Sequence, residues 1–433
     1  MKKILAFIDQ FFFEEISASS IGLMRILWAA TILVFLIRGM PDIVRYYSDA
    51  GIMPQDLGYL VFRNHHRFTL LAHLTSPTAV IGLWSIFVAC LICSMLGIWT
   101  RTMTITSALL LFSVQERNLQ PLGGGDTVLR TIGFILMICP EINAFSLERL
   151  LQQWKRWKQT GTFLQPLTVH IWPYRLLLWQ MILIYVTSGW DKLQGTMWLN
   201  GTALEASFHH PHFARWSMET MNNWIWMSPL ASVYTLVWEF SWLLLLVPLS
   251  MCRYTIRRVI LVGGLLFHWT IFIFMNVGSF PFAMTTAYTG LLRAEDWTLV
   301  KRLLNRKWNG SIVVLYDGIC TLCRRSIFVV LLLDVLSRIQ PVDFRDAKRK
   351  KTFAKEITET DLDRAMHIKM PDGTTFKGFD AFRKLTWHLP ALRLLTPFLY
   401  IPGVAPVGRI AYRAIAARRN RCAEGACVHV PKS

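Results

Sequence analysis

Between residues 20 and 292 the chain carries eight apolar stretches, at about 20 to 38, 78 to 98, 103 to 116, 127 to 140, 171 to 189, 230 to 249, 257 to 276 and 279 to 292. A helix crossing a ~30 Å hydrocarbon core takes roughly 17 to 25 apolar residues, and it is favoured because lipid offers its backbone no outside hydrogen-bond partner. The pattern therefore predicts a polytopic α-helical membrane domain of about eight spans. Its third, fourth and eighth stretches are short and are expected to lie buried or tilted. Composition agrees, since 53% of the 433 residues are hydrophobic and only 17% are charged, whereas soluble chains run near about 45–50% and about 25%. The character changes near residue 300. We expect a membrane domain over 1–300, a basic linker over 301–310, a small α/β domain over 311–422 and a tail over 423–433.

Loop charges orient the spans, because cytoplasmic loops are enriched in Lys and Arg. With the N-terminus inside, fifteen basic residues fall on the cytoplasmic side, among them Lys2, Lys3, Arg101, Arg149, Arg253 and Arg302. Seven fall outside: Arg38, Arg45, Arg63, Arg67, Arg117, Lys192 and Arg215. The expectation is a multi-pass protein of a bacterial inner membrane with its N-terminus and C-terminal domain in the cytoplasm. Asp9, Glu14 and Glu15 interrupt the first apolar run, so the first twenty residues read as carrying an interfacial amphipathic helix, with Ile4, Leu5, Ile8, Phe11 and Phe12 toward lipid, and not as a signal peptide.

Of the net charge of +19, +10 lies in residues 311–433, where 21 basic residues face 11 acidic ones. A basic domain tethered beside a bilayer faces anionic headgroups. The series Arg409, Arg413, Arg418, Arg419 and Arg421 beside the apolar 392–407 segment fits a lipid surface better than nucleic acid, which is not expected as a partner.

Asp317-Gly318-Ile319-Cys320-Thr321-Leu322-Cys323 lies between an apolar run, Ser311 to Tyr316, and a helical pattern from Arg324 to Leu336. A cysteine at the first turn of a helix meets unpaired N–H groups and the positive end of the dipole, which favour its thiolate. Two intervening residues let the second thiol close a disulfide on the first. Zinc at Cys320 and Cys323 is the rival chemistry, disfavoured because no second Cys or His pair lies nearby. Cys90 and Cys93 share a helix face and read as small buried hydrophobes. Cys139 and Cys252 sit singly near span ends. Cys422 and Cys427 with His429 read as a second thiol pair or a partial metal set, and His209, His210 and His212 lack ligands at metal spacing, so no metal is expected.

Further strands are expected at Ile339 to Phe344, Ala365 to Met370 and Thr374 to Lys377, the last two joined by Pro371-Asp372-Gly373. A helix over Phe379 to Leu389 completes a thioredoxin-like layout. On the Asp-x-x-Cys-x-x-Cys signature, Gly378-x-Asp380-Ala381, Tyr412-Arg413 and Ala416 to Arg421, residues 311–422 resemble the DCC-type thiol-disulfide oxidoreductases. The resemblance implies that Cys320 attacks a substrate disulfide and Cys323 resolves the mixed disulfide. Asp317 would take or return the proton of a more buried Cys323, or else cap a turn, while Arg324 and Arg325 supply positive charge. Unlike thioredoxin, the stretch Asp363 to Met370 has no proline, so substrate positioning differs.

Ionisable residues within spans are costly and are functional suspects. Here they are Arg25, Asp126, Arg130, Glu239 and His268, with Arg25 and Arg130 pairing with Glu239 or Asp126 as the alternative of mere packing. The stretch Tyr185 to Leu204, which contains Ser188 to Leu193, Trp198 and Gly201 to Ala203, together with the Gly124-Gly125-Asp126 segment, Glu239 and His268 resembles the HTTM domain related to vitamin K-dependent gamma-carboxylase. That resemblance implies Lys192 as a catalytic base, with Asp126, Glu239 and His268 as ligand-binding residues and a quinone or other lipophilic molecule as the ligand. A lysine at a span end also snorkels without any catalytic role. The carboxylase's helper histidine and large lumenal region have no counterpart, so gamma-carboxylation is not expected.

The combined expectation is a membrane-anchored thiol-disulfide oxidoreductase of the protein-disulfide reductase type, with a thiol or disulfide protein or a small thiol as partner. Lys192 would lie outside and the dithiol inside, acting separately. The alternative is a transporter or scaffold with a redox-sensing thiol domain.

Overall fold

The computed structural model describes residues 2–61, 69–247, 253–306, 308–417, 420–423 and 426–429. Arg63, Arg67, Cys252, Arg418 and Arg419 lie outside them. The chain forms two compact units, one of residues 1–152 with 164–294, the other of 153–163 with 295–433.

The first unit is helical. Over their described residues the apolar stretches are largely helical, in Ser19–Gly39, Pro77–Leu96, Thr100–Arg117, Gly124–Ile138, Trp172–Leu193, Ser228–Ser241, Arg253–Phe274 and Phe280–Gly290. Ile21, Met24, Trp28, Phe87, Leu91, Ile132 and Leu136 belong to the shared core. Among the described residues, only three helices are both long and apolar enough to cross a membrane: Ser19–Tyr47, Pro77–Leu96 and Tyr254–Phe274. The expected eight therefore reduce to three candidates. Length explains part of the shortfall, because the 14 residues of Ser228–Ser241 and the 11 of Phe280–Gly290 reach only about 21 and 16 Å at the α-helical rise. Polarity explains another part, since Thr100–Arg117 ends in Gln115, Glu116 and Arg117, all buried. The amphipathic helix at the start spans Lys2–Phe13, and its Ile4, Leu5, Ile8, Phe11 and Phe12 are exposed.

Arg25, which is buried, and Arg130, which is partly exposed, do not pair as expected. Arg25 donates to the carbonyls of Ile142 (3.1 Å), Ala144 (3.2 Å) and Ser94. Helix ends and turns leave such carbonyls without partners of their own, so one guanidinium satisfies several at once. Arg130 pairs with Glu116 at 2.7 Å and donates to Gln115 at 2.8 Å. Neither contact involves Glu239 or Asp126.

The second unit contains a four-stranded mixed sheet in the order Ile339–Asp343, Ile312–Tyr316, His367–Lys369, Thr375–Lys377. The first pair is parallel, with Ile312 opposite Ile339, and the others are antiparallel, with Leu315 opposite His367 and Ile368 opposite Phe376. Ile312 to Leu315 are all buried, as a central strand covered on both faces requires. The helix Thr321–Leu333 makes the crossover, Pro371 to Gly373 form the hairpin turn, and Gly378–His388 follows the last strand. Two short helices, Ala347–Phe353 and Glu359–Arg364, fill the connection before the third strand. Their N-caps are supplied by Asp346 and Thr358.

Candidate active site

The first parallel strand ends at Tyr316, and the chain turns through Asp317, Gly318 and Ile319 into the helix Thr321–Leu333, whose N-cap is Cys320. Two carboxylates shape that turn. Asp317 accepts from the Ile319 N–H at 3.2 Å, capping the turn from within. Asp343, at the end of the neighbouring parallel strand, accepts from the Gly318 N–H and the Arg345 N–H, both at 3.0 Å. In a parallel pair the two carboxyl ends lie side by side, so the turns after them share partners.

Gly318 is required by this crossing. A Cβ there would lie 1.9 Å from Asp343 Oδ2, and that carboxylate is held by two backbone donors. Gly318→Ala is expected to lower the thermal unfolding midpoint of the second unit, costing about 1–3 kcal/mol as overpacking does. Protease susceptibility of the full chain against temperature would register the loss.

Cys320 and Cys323 are not joined in a disulfide, and the Cys320 Sγ accepts from the Cys323 N–H at 3.3 Å. That contact places the helix N-terminal field on Cys320, the arrangement that favours a thiolate. Burial runs against the sequence expectation: Cys320 is 0% exposed and Cys323 is half-buried. The N-cap residue sits at the junction of the central strand and the crossover helix, whereas Cys323 is one turn out along the helix.

Asp317 is 1% exposed and meets a guanidinium that sequence reading overlooked. Arg345 Nε donates to its Oδ1 at 3.2 Å and Nη2 to its Oδ2 at 3.1 Å. Arg345 also pairs with Asp363 at 2.5 Å and Glu359 at 3.6 Å, and the hydrogen bonds to Asp317 hold its own pKa above the usual guanidinium range. Burial raises the pKa of the adjacent Tyr316, with the Asp343 charge adding to it.

Arg324 and Arg325 are committed elsewhere. Arg324 donates to the Trp157 and Lys158 carbonyls, each at 2.8 Å, and its own carbonyl accepts from Trp157 Nε1 at 3.0 Å. Arg325 lies 5.9 Å from the Trp154 ring. Residues 153–163, far earlier in the chain, thus cover the outer face of the dithiol helix, with Trp154, Trp157 and Phe163 around Phe328.

The remaining motif residues fasten the opposite side. Arg409 on the helix Val404–Ala416 holds Asp380 through two bonds, at 3.0 and 3.2 Å. The Tyr412 hydroxyl accepts from the Met366 N–H at 2.9 Å. Its ring lies over Gly378, whose φ of +59° suits glycine. Cys422 and Cys427 are register partners of the last strand pair.

In the first unit, Lys192 Nζ lies 2.7 Å from Glu239 Oε1 and 2.5 Å from Ser188 Oγ. The Tyr185 hydroxyl meets His268 Nε2 at 2.6 Å and the Tyr288 hydroxyl, and its ring stacks on Trp242 at 4.4 Å. Tyr185, Ser188 and Lys192 follow each other at helical spacing on Trp172–Leu193, so the Lys192–Glu239 pair and the His268 cluster share one helix face. Tyr185 opens the 185–204 stretch picked out in the sequence, whereas nothing there marks Tyr288. Asp126 stands apart from these contacts as a cap, accepting from the Gly123 N–H at 2.8 Å. His209 bonds the Glu205 carbonyl and Asn222. Lys192→Met is expected to lower the melting midpoint in detergent more than Lys192→Met with Glu239→Gln, because the single change leaves a carboxylate that is 6% exposed without its cation, a loss of about 3–5 kcal/mol for a fully buried pair.

A parallel strand, a tight turn and a helix capped by the first cysteine of Cys-x-x-Cys define a dithiol domain of the thiol-disulfide exchange class. Residues 314–424 match the family described as DCC1-like thiol-disulfide oxidoreductase, and the chain carries such a domain there. No curated protein and no solved structure matches the chain. An oxidoreductase function follows in general terms from the family match.

Proposed function

We propose that the second unit is a thioredoxin-like domain in which Cys320 and Cys323 cycle between dithiol and disulfide, reducing a disulfide of a partner protein or small thiol beside a membrane that the first unit occupies. The observation that carries this reading is the Cys323 N–H directed at the Cys320 Sγ at a helix N-terminus. In the forward step the Cys320 thiolate attacks one sulfur of the partner disulfide, and the other sulfur leaves as a thiolate and takes a proton. The Cys323 sulfur, losing its proton, then attacks Cys320, releasing the second partner thiol and leaving the intramolecular disulfide. The partner gains two electrons from the dithiol and two protons, one released by Cys323 and one taken from solvent, to which Cys320 had lost its own on ionising. The Cys323 N–H at the helix N-terminus is what favours Cys320 as the attacking sulfur. Its burial makes local opening part of the reaction. Asp317, close in sequence and tied to Arg345, is the group proposed to take the resolving proton, and its cap on Ile319 fixes the turn in either role.

For the first unit we propose an HTTM-like domain holding a lipophilic ligand, a quinone being the candidate, with Lys192, Glu239 and His268 at its polar end. An apolar cavity of about 170 Å³ nearby is lined by Phe208, Tyr234, Thr235, Phe267 and Phe274, and Lys192, Glu239 and His268 are not among its lining residues. Thr235 lies one turn before Glu239, and Phe267 adjoins His268. Asp126, as a helix cap, is left out of this polar end.

Turnover separates an exchange enzyme from a redox sensor attached to a scaffold. The full chain in detergent or liposomes, supplied with a reductant, is expected to reduce a disulfide substrate through many cycles, and Cys320→Ser/Cys323→Ser to lose that activity. Full thiol-dependent activity in the double variant would sink the proposal.

A further inference from the structure

Two consecutive helical segments near the end of the second unit, Pro390–Leu399 and Val404–Ala416, are together apolar enough to cross a membrane, yet they bend by 115°. The break falls at residues 400–403, where Pro402 precedes Gly403 at φ +90°. At the α-helical rise the pieces reach only about 15 and 20 Å, short of a ~30 Å core. Neither spans, and the bend keeps them from joining into one straight span.

One side of this wedge is committed to the fold. Gly408 packs against Phe379, Arg409 holds Asp380, and Tyr412 closes on Gly378. The other side is bare: Leu394 is 83% exposed, Val407 66%, Phe398 64% and Ile410 62%, with Ile401 and Ile415 also exposed. A contiguous apolar surface of this kind marks an interaction site. Charge identifies the occupant. From Ala381 to Ala417 the chain has Arg383, Lys384, Arg393, Arg409 and Arg413 and no Asp or Glu. Trp387 and Tyr400, in edge contact at 5.7 Å, are both partly exposed, the aromatic pair that settles at headgroup level. An apolar face rimmed by cations and interfacial aromatics is complementary to an anionic bilayer surface.

We infer that residues 387–415 form a re-entrant wedge that docks the dithiol unit onto an anionic lipid surface, with Leu394, Phe398, Ile401, Val407 and Ile410 in the acyl region and Arg393 and Arg413 at the headgroups. This rests on reading the chain as a membrane protein and is independent of the chemistry assigned to Cys320 and Cys323.

The test uses the full chain in liposomes of phosphatidylethanolamine and phosphatidylglycerol containing a phospholipid with a diazirine at mid-acyl depth. After illumination, labelled peptides are mapped. Peptides covering 390–401 and 404–415 are expected to be labelled several-fold above the exposed turn 371–374 and to lose that excess in neutral phosphatidylcholine liposomes, while Pro77–Leu96 stays labelled in both. Leu394→Glu/Phe398→Glu, which alters only exposed positions, is expected to abolish the wedge labelling with the dithiol reduction potential unchanged. Wedge labelling no higher than the turn overturns the inference and transfers the face to a protein partner, and labelling indifferent to headgroup charge overturns it too. Loss of labelling at Pro77–Leu96 would instead strike the membrane reading itself.

Discussion

Arg345→Gln is expected to destabilise the dithiol unit by about 3–5 kcal/mol, the loss seen when one partner of a buried ion pair is removed. The reason is asymmetric burial. Asp317 is 1% exposed and takes two bonds from this guanidinium, while Asp363 and Glu359 lean on the same cation. Glutamine leaves one buried carboxylate without its cation and three acids facing one another. Asp363 and Glu359 are open enough to be screened by solvent, so most of the loss falls on Asp317. Adding Asp317→Asn should recover much of it, because the second change removes the uncompensated charge. Unfolding followed by access of a bulky reagent to the normally buried Cys320 thiol would measure both variants. A single variant as stable as the parent would remove the ion pair from the account.

Cys323→Ser is expected to arrest exchange as a mixed disulfide on Cys320 and to lower turnover by orders of magnitude, because without the second thiol nothing resolves the covalent intermediate. Cys320→Ser should be equally inactive and should accumulate little mixed disulfide. Thiolate stabilisation and exposure point to different sulfurs, and trapping decides between them. Partner captured chiefly through Cys323 would assign the attack to the more exposed thiol and make Cys320 the resolving group. Non-reducing electrophoresis of both variants with a disulfide partner is sufficient.

Much of the second unit was legible beforehand because its signals are local. A buried apolar run, then Asp-Gly, then two cysteines three apart, specifies strand, turn and helix N-terminus. Pro371-Asp372-Gly373 specifies the hairpin in the same way. Arg345 was missed because its partner lies 28 residues earlier. Strand-helix-strand order does imply that residues just past both parallel strands meet, so Phe344-Arg345-Asp346 carried a usable signal. Residues 153–163 gave none. Trp154, Lys155, Arg156 and Trp157 read equally well as a basic loop beside a membrane, and only tertiary packing places their rings on Phe328.

In the first unit, hydropathy located helices and overestimated how many are span-like. Local apolarity is shared by helices that cross lipid and by short ones packed within a helical core, and the ends of Ser228–Ser241 and Phe280–Gly290 are not marked strongly enough to tell them apart. Glu239, His268 and Lys192 stood out because charge is conspicuous among apolar residues. Tyr288, which completes the His268 cluster with Tyr185, did not, since a tyrosine in a span looks like any other aromatic until its hydroxyl finds a partner.

Whether Cys320 and Cys323 form a working redox couple is decided by the reduction potential of the pair in the full chain. Thiols would be trapped after equilibration across glutathione buffers, with Cys320→Ser/Cys323→Ser subtracting the other cysteines. A reversible two-electron couple between about −270 and −120 mV, the range of exchange-active dithiols, is expected. Failure of the pair to form a disulfide at any poise would contradict it.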